Sequence, residues 1–149
     1  AESRDAMAAA LASVRTQLGQ TYPPVIDNSP VATAEFIDSV NPSKKGELVG
    51  RTGKTTARQA EEAIASAARA FEGWRDTPAG ERAALLRRTA DVMRKRRFEL
   101  SAWIVLETGK PWRESDADVA EAIDFCDYYA LEAEKMWHTQ DVDVPGEEN

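Results

Sequence analysis

The stretch DADVAEAIDFCDYY, from Asp116 to Tyr129, combines acidic, apolar and aromatic residues at helical spacing. At 3.6 residues per turn, one continuous apolar stripe forms along this segment and its continuation. The stripe consists of Val119, Ile123, Cys126, Ala130 and Ala133. Glu121 lies on nearly the opposite side, with Phe125 and Tyr128 at its i+4 and i+7 positions. The pattern predicts a helix with two apolar faces, one in the core and one that places a carboxylate beside aromatic rings.

Two interpretations of Glu121 follow from this position. A solvent-exposed acid on a helix surface is the ordinary interpretation for any Glu. A Glu held between Phe125 and Tyr128 in a partly closed site would instead need a cation, because a desolvated charge without a partner is costly. The ammonium group of a ligand would supply that cation.

The first half of the chain predicts one helix followed by short strands. Alanine, leucine and valine recur at helical intervals over residues 3–18, and Gly19 is placed to end that helix. Two apolar segments, residues 25–26 and 31–37, flank the turn-forming DNSP and predict an antiparallel β-hairpin. A third strand is expected in GELVGRTG, residues 46–53.

Helix signals return at Thr56, which begins a capping-box pattern with Gln59 ahead of an alanine-rich stretch to about residue 73. Thr77 is then expected to cap a second helix, with Pro78 at its first position. That helix reaches ETGKP, and a break near Arg97 is compatible with the consecutive basic residues there.

Gly109 and Pro111 are expected to end this helical stretch, because glycine favours helix C-termini and proline cannot continue a helix. The last helix is expected to begin near Ser115. The segment as a whole is therefore predicted to be mostly α-helical with an N-terminal antiparallel β-hairpin.

Composition narrows the class of protein. A length of 149 residues with 42% hydrophobic content suits one soluble globular domain. The net charge of -7 disfavours nucleic acid and anionic membranes as partners. One basic cluster runs against this charge, and a solvated helix face is favoured for it over an anion site. The cluster consists of Arg87, Arg88, Arg94, Lys95, Arg96 and Arg97.

Cys126 is the only cysteine, which excludes an internal disulfide and favours a reducing, cytoplasmic location. No apolar run is long enough to span a membrane, and the first residue is Ala, not Met, which suggests a segment of a longer protein. Cys126 lies on the core stripe, so a structural role is predicted. His138 has no acids at metal-ligand spacing, so a surface position is predicted. The residues thus indicate no catalytic or metal site.

Several motifs resemble the aldehyde dehydrogenase superfamily. SVNPS, FEGWR, ERAALL and ETGKPW resemble features of the superfamily at large. LGQTYPPVI and ADVAEAIDF are similar to its delta-1-pyrroline-5-carboxylate dehydrogenase branch. The resemblance extends from about Met7 to Asn149, so it covers nearly the whole chain.

The resemblance implies an α/β fold with this organisation: residues 1–138 form the N-terminal part of a Rossmann-like dinucleotide-binding domain, and residues 139–149 begin an oligomerisation-flap strand. The catalytic domain, the nucleophilic cysteine and the NAD-binding residues lie beyond the segment, which is then inactive alone. The implied reaction is NAD-dependent oxidation of L-glutamate gamma-semialdehyde to L-glutamate in proline catabolism, by a homo-oligomer. NAD and NADP both remain open as cofactors, as do a monofunctional parent and one fused to proline dehydrogenase.

The resemblance also places Glu121 at a position that lines the substrate tunnel in this superfamily. An acid there suits an aldehyde that carries an α-ammonium group. Two alternatives stay open on the sequence: a stand-alone helical interaction module, and an aldehyde dehydrogenase with a different aldehyde substrate.

Overall fold

Five helices and five short strands build residues 2–137, the part of the chain that this computed structural model describes. The helices are α1 (Glu2–Arg15), α2 (Ala57–Arg75), α3 (Ala79–Lys95), α4 (Arg97–Thr108) and α5 (Trp112–Met136). The strands are β1 (Gln20–Tyr22), β2 (Val25–Ile26), β3 (Ser29–Pro30), β4 (Glu35–Val40) and β5 (Leu48–Lys54). The expected α/β class, with helices dominating, is confirmed.

A three-stranded sheet packs beside the helices in the order β1-β5-β4. The central β5 confirms the strand expected in GELVGRTG. It pairs antiparallel with β4, with Ile37 opposite Thr52, and parallel with β1, with Gln20 opposite Gly50. The sheet is therefore mixed, and β1 was not predicted.

The predicted antiparallel hairpin forms around DNSP, but its second strand was predicted at the wrong residues, 31–37. β2 pairs only with the two-residue β3, around a turn in which Asp27 and Asn28 both have positive φ values of 52° and 56°. That backbone suits a tight two-residue turn. The Val31 N–H donates to the Pro24 carbonyl at 2.8 Å, and Pro24 has no N–H to return a bond to Val31. The chain then continues into β4, which pairs with β5 instead of β2.

The helix signals were mostly reliable. Thr56 and Gln59 form the predicted capping box at the start of α2. Thr77 does not cap α3, because its hydroxyl donates to the Gly73 carbonyl at 2.8 Å, and Pro78 takes the cap position. The expected break lies at Arg96, between α3 and α4.

Two hydrophobic clusters hold the helices together. The first joins α1 to α4 and consists of Met7, Leu11, Val14, Ala102 and Leu106. The second joins α3 to α5 around Ala90, Val119 and Ile123, with Cys126 packed against it. Ala130 is also fully buried, so the predicted core stripe of α5 is confirmed.

The start of α5 lies at Trp112, three residues before the predicted position. Ser115 is fully buried, and its hydroxyl donates to the Pro111 carbonyl at 3.1 Å. The helix thus begins directly after Pro111, and Ser115 is the side chain of its first turn that packs into the protein. No helix within residues 2–137 has the length and apolar character to cross a bilayer.

Candidate functional site

The carboxylate of Glu121 lies in an open groove along the outer face of α5. The groove has a volume of about 560 Å³ and is lined by Ala117, Ala120, Glu121, Asp124, Phe125 and Tyr128. These residues follow one another at helical spacing, so a single helix builds the whole wall. The structure thus brings Glu121 together with Phe125 and Tyr128, as the sequence spacing predicted.

The aromatic side chains of this groove are about half exposed, and they pack against a neighbouring tyrosine. Phe125 is 48% exposed and Tyr128 is 55% exposed. Tyr129 stacks on Phe125 with ring centroids 5.8 Å apart, and it meets Tyr128 edge to face at 5.3 Å. Such pairs favour defined ring positions, so Phe125 and Tyr128 form an apolar surface of defined geometry beside the Glu121 carboxylate. The packing of Tyr129 against both rings was not anticipated.

A lysine–aspartate pair lies next to this groove. Lys110 donates from Nζ to Oδ2 of Asp118 at 2.6 Å. This hydrogen bond is the main reason that the pKa of Lys110 is raised, and the charges of Asp118, Glu114 and Glu121 raise it further. Lys110 was not singled out from the sequence, although its position directly after the helix-ending Gly109 is the signal that could have found it.

Glu121 itself forms no ion pair with any residue in the range 2–137. Asp118 pairs with the nearby Lys110, and Glu121 is exposed in the groove. The groove therefore offers a negative charge beside aromatic rings. Chemically, this arrangement can bind an organic cation with an apolar body.

The basic cluster is mostly neutralised by acids. Arg87 pairs with Glu134, Arg94 with Asp91 and Asp127, Arg96 with Glu99, and Arg97 with Asp116. These pairs tie α3 and α4 to α5 and cap the α3–α4 break. The cluster thus acts as structural ion pairs, in agreement with the preference for a helix face over an anion site.

The other residues considered from the sequence do not add chemistry to the groove. Cys126 is half-buried on the core stripe and packs against the cluster around Ile123. His138 and the expected flap segment 139–149 lie outside the described residues. Within residues 2–137, no group of three or more His, Cys, Asp or Glu side chains is arranged to hold a metal ion.

A dinucleotide needs a helix N-terminus that follows a glycine-rich turn, where backbone N–H groups meet the pyrophosphate. Helices α2 to α5 instead follow Thr56, Pro78, Arg96 and Pro111. These helix starts therefore do not fit a pyrophosphate, and a dinucleotide has no cradle there.

A second groove, of about 680 Å³, lies between the sheet and α4. Its charged side chains have hydrogen-bonding or ion-pair partners: Arg51 pairs with Asp38, Arg96 pairs with Glu99, and Glu107 accepts a hydrogen bond from Ser39. The groove along α5 remains the better candidate, because neither of its acids, Glu121 and Asp124, has such a partner among residues 2–137.

A family model and curated proteins each match most of the chain. The family model described as aldehyde dehydrogenase family matches residues 30–149. A 1-pyrroline-5-carboxylate dehydrogenase of Bacillus pumilus is 50% identical over 129 residues, which is 87% of this chain and 25% of that protein.

Two solved structures share the fold closely. A 1-pyrroline-5-carboxylate dehydrogenase from Thermus with bound NAD has a TM-score of 0.91 and 44% identity over 97% of this chain and 28% of that one. Proline utilization A from Bdellovibrio bacteriovorus also has a TM-score of 0.91, with 39% identity over 97% of this chain and 15% of that one. The chain spans about a quarter of the length of the curated relatives it matches.

Proposed function

Because the chain belongs to the aldehyde dehydrogenase family, we propose that it forms the N-terminal part of an NAD-dependent dehydrogenase that oxidises L-glutamate gamma-semialdehyde to L-glutamate. This reaction is one step of proline catabolism. The names of the Bacillus and Thermus relatives support this substrate. Membership of an enzyme family favours this proposal over a stand-alone helical interaction module.

The covalent chemistry of the proposed reaction needs a nucleophilic thiolate beside the nicotinamide. Cys126 does not suit that role, because it lies half-buried on the core stripe of α5. Helices α2 to α5 have no glycine-rich start to hold NAD. We therefore assign the nucleophile and the NAD-binding residues to the remainder of the polypeptide, and residues 1–149 alone are inactive.

The observation that carries the proposal is the carboxylate of Glu121, which lies beside Phe125 and Tyr128 and has no ion-pair partner within residues 2–137. In this proposal Glu121 binds the α-ammonium group of the semialdehyde, and the aromatic rings contact its aliphatic chain. A charged hydrogen bond of this kind orients the substrate as well as attracting it. Glu121 thus selects an amino-acid aldehyde over a simple aldehyde.

The test is Glu121→Gln in the complete enzyme, since this change keeps the shape and removes the charge. If the pair is desolvated, the loss should be about 2 to 5 kcal/mol in transition-state binding. The loss should appear in kcat/KM for glutamate semialdehyde, whereas an aldehyde of similar length without an amine is spared. Asp124→Asn is the matched control, because it removes a charge from the same groove one turn away.

Equal losses toward both aldehydes would show that Glu121 supports the fold or the catalytic geometry. No loss toward either would return it to an ordinary surface acid. An aldehyde dehydrogenase with another substrate would then be the better proposal.

The proposal extends to organisation and location. Residues 1–138 would form the N-terminal part of the dinucleotide-binding domain, and residues 139–149, outside the described range, would begin the oligomerisation flap. The complete enzyme would be a cytoplasmic homo-oligomer. Light scattering of the complete enzyme, which gives its molar mass, tests the oligomeric state, and a monomer would contradict it.

A further inference from the structure

We propose that Asp118 is a positioning residue that holds the Lys110 ammonium away from Glu121 and so keeps the Glu121 carboxylate available for the substrate ammonium. This inference rests on the proposed function, because it concerns the same groove. It assigns a role to two residues that do not line the groove.

The backbone before α5 fixes the place of Lys110. Gly109 ends α4 in the left-handed region, with φ at 74°, and its N–H donates to the Val105 carbonyl at 3.0 Å. A β-carbon at Gly109 would lie 3.0 Å from Cγ of Pro42, so the loop is closely packed there. Lys110 therefore directly follows a closely packed turn, and its side chain extends along the outer face of α5.

Asp118 and Glu121 are three residues apart on α5, and such residues are neighbours on one helix face. The ammonium of Lys110 is hydrogen-bonded to Asp118 at 2.6 Å. The hydrogen bond to Asp118 is the main cause of the raised pKa of Lys110, and the charges of Glu114 and Glu121 add to it, in keeping with the place of both acids on α5 near Lys110. The Lys110 ammonium thus has several acids nearby, and it is hydrogen-bonded to Asp118.

Which carboxylate Lys110 binds affects the substrate, because a lysine ammonium and a substrate α-ammonium have the same chemistry. Each carries one positive charge and three N–H donors, and both bind a carboxylate in the same way. A Lys110 that turned to Glu121 would compete with substrate from inside the protein. Asp118 removes this competition, since it keeps Lys110 satisfied one turn away.

The experiment uses the complete enzyme carrying Asp118→Asn, which keeps the shape and removes the charge that holds Lys110. KM for glutamate semialdehyde should rise about fivefold, the size expected for a competing surface ion pair, with kcat within about twofold. KM for the amine-free aldehyde should not change. Adding Lys110→Met to Asp118→Asn should restore KM, because the competing cation is gone.

Two further variants separate competition from stability. Lys110→Met alone should not raise KM, whereas a purely structural ion pair would make Lys110→Met and Asp118→Asn equally harmful. Glu114→Gln is the matched control, because it removes an acid near Lys110 that is not its hydrogen-bond partner. The melting temperature of each variant confirms that it is folded.

An unchanged KM in Asp118→Asn, or a raised KM that Lys110→Met fails to restore, would overturn this inference. Such a result together with a selective loss in Glu121→Gln would leave the proposed function intact. Equal losses toward both aldehydes in Glu121→Gln, or no loss toward either, would overturn the proposed function first.

Discussion

Arg87 and Glu134 form a two-point ion pair that joins α3 to α5, with Nη1–Oε1 at 2.7 Å and Nη2–Oε2 at 2.6 Å. Arginine and carboxylate match geometrically in this arrangement, which fixes direction as well as charge. The pair lies beyond the buried cluster around Ile123, toward the C-terminal end of α5. It thus extends the helix–helix contact past its apolar core.

The ion pair makes the α3–α5 contact dependent on pH. The hydrogen bond from Arg87 lowers the pKa of Glu134 below its ordinary value of 4.5. The stabilisation is therefore fully present above pH 4.5 and is lost as the pH falls through the lowered value of the folded protein. Glu134→Gln should reduce the protection of α3 amides from hydrogen exchange at pH 7, and the difference from the native protein should vanish at low pH.

Glu132→Gln is the control for this measurement, because Glu132 pairs with Lys135 within α5 and does not reach α3. Its effect on α3 protection should be negligible. A difference between the native protein and Glu134→Gln that did not shrink as the pH fell below 4.5 would contradict the assignment to this ion pair.

Gly109→Ala should destabilise the protein by about 1–2 kcal/mol, since an L-residue is strained in the left-handed region. The added methyl group would also lie 3.0 Å from Pro42. Gly73→Ala in α2 is the matched control, because a β-carbon at Gly73 would meet nothing within 4 Å. This substitution should stabilise the helix by about 0.5–1 kcal/mol. Urea unfolding of both variants gives the two free energies, and equal stability of Gly109→Ala and the native protein would refute the strain argument.

Cys126→Ala should leave turnover within a small factor of the native enzyme. The expected cost is about 1 kcal/mol of stability, because the side chain packs against the α3–α5 cluster but is only half-buried. Steady-state kinetics of the complete enzyme, alongside its urea midpoint, measure both effects. A folded variant that lost several orders of magnitude in kcat would show that this thiol takes part in the reaction.

The sequence alone determined the features that depend on neighbours within one or two helical turns. The core stripe of α5, the Thr56 capping box and the stop at Gly109 each follow from side chains only a few residues apart, so spacing was sufficient to predict them. The same holds for the meeting of Glu121 with Phe125 and Tyr128, since one helix carries all three.

Only the tertiary structure decided which segments pair across longer separations. The parallel pairing of β1 with β5 joins residues that are 30 apart, and no local pattern specifies a partner at that distance. The Thr77 hydroxyl donates to a carbonyl of the preceding helix, and β4 pairs with β5 instead of extending the hairpin along β2. The contact of Lys110 with Asp118 likewise depends on how the rigid turn at Gly109 aims the side chain across eight residues. Periodicity and caps are set by local sterics and hydrogen bonds, whereas strand partners and side-chain choices are set by competition among all the groups that folding brings together.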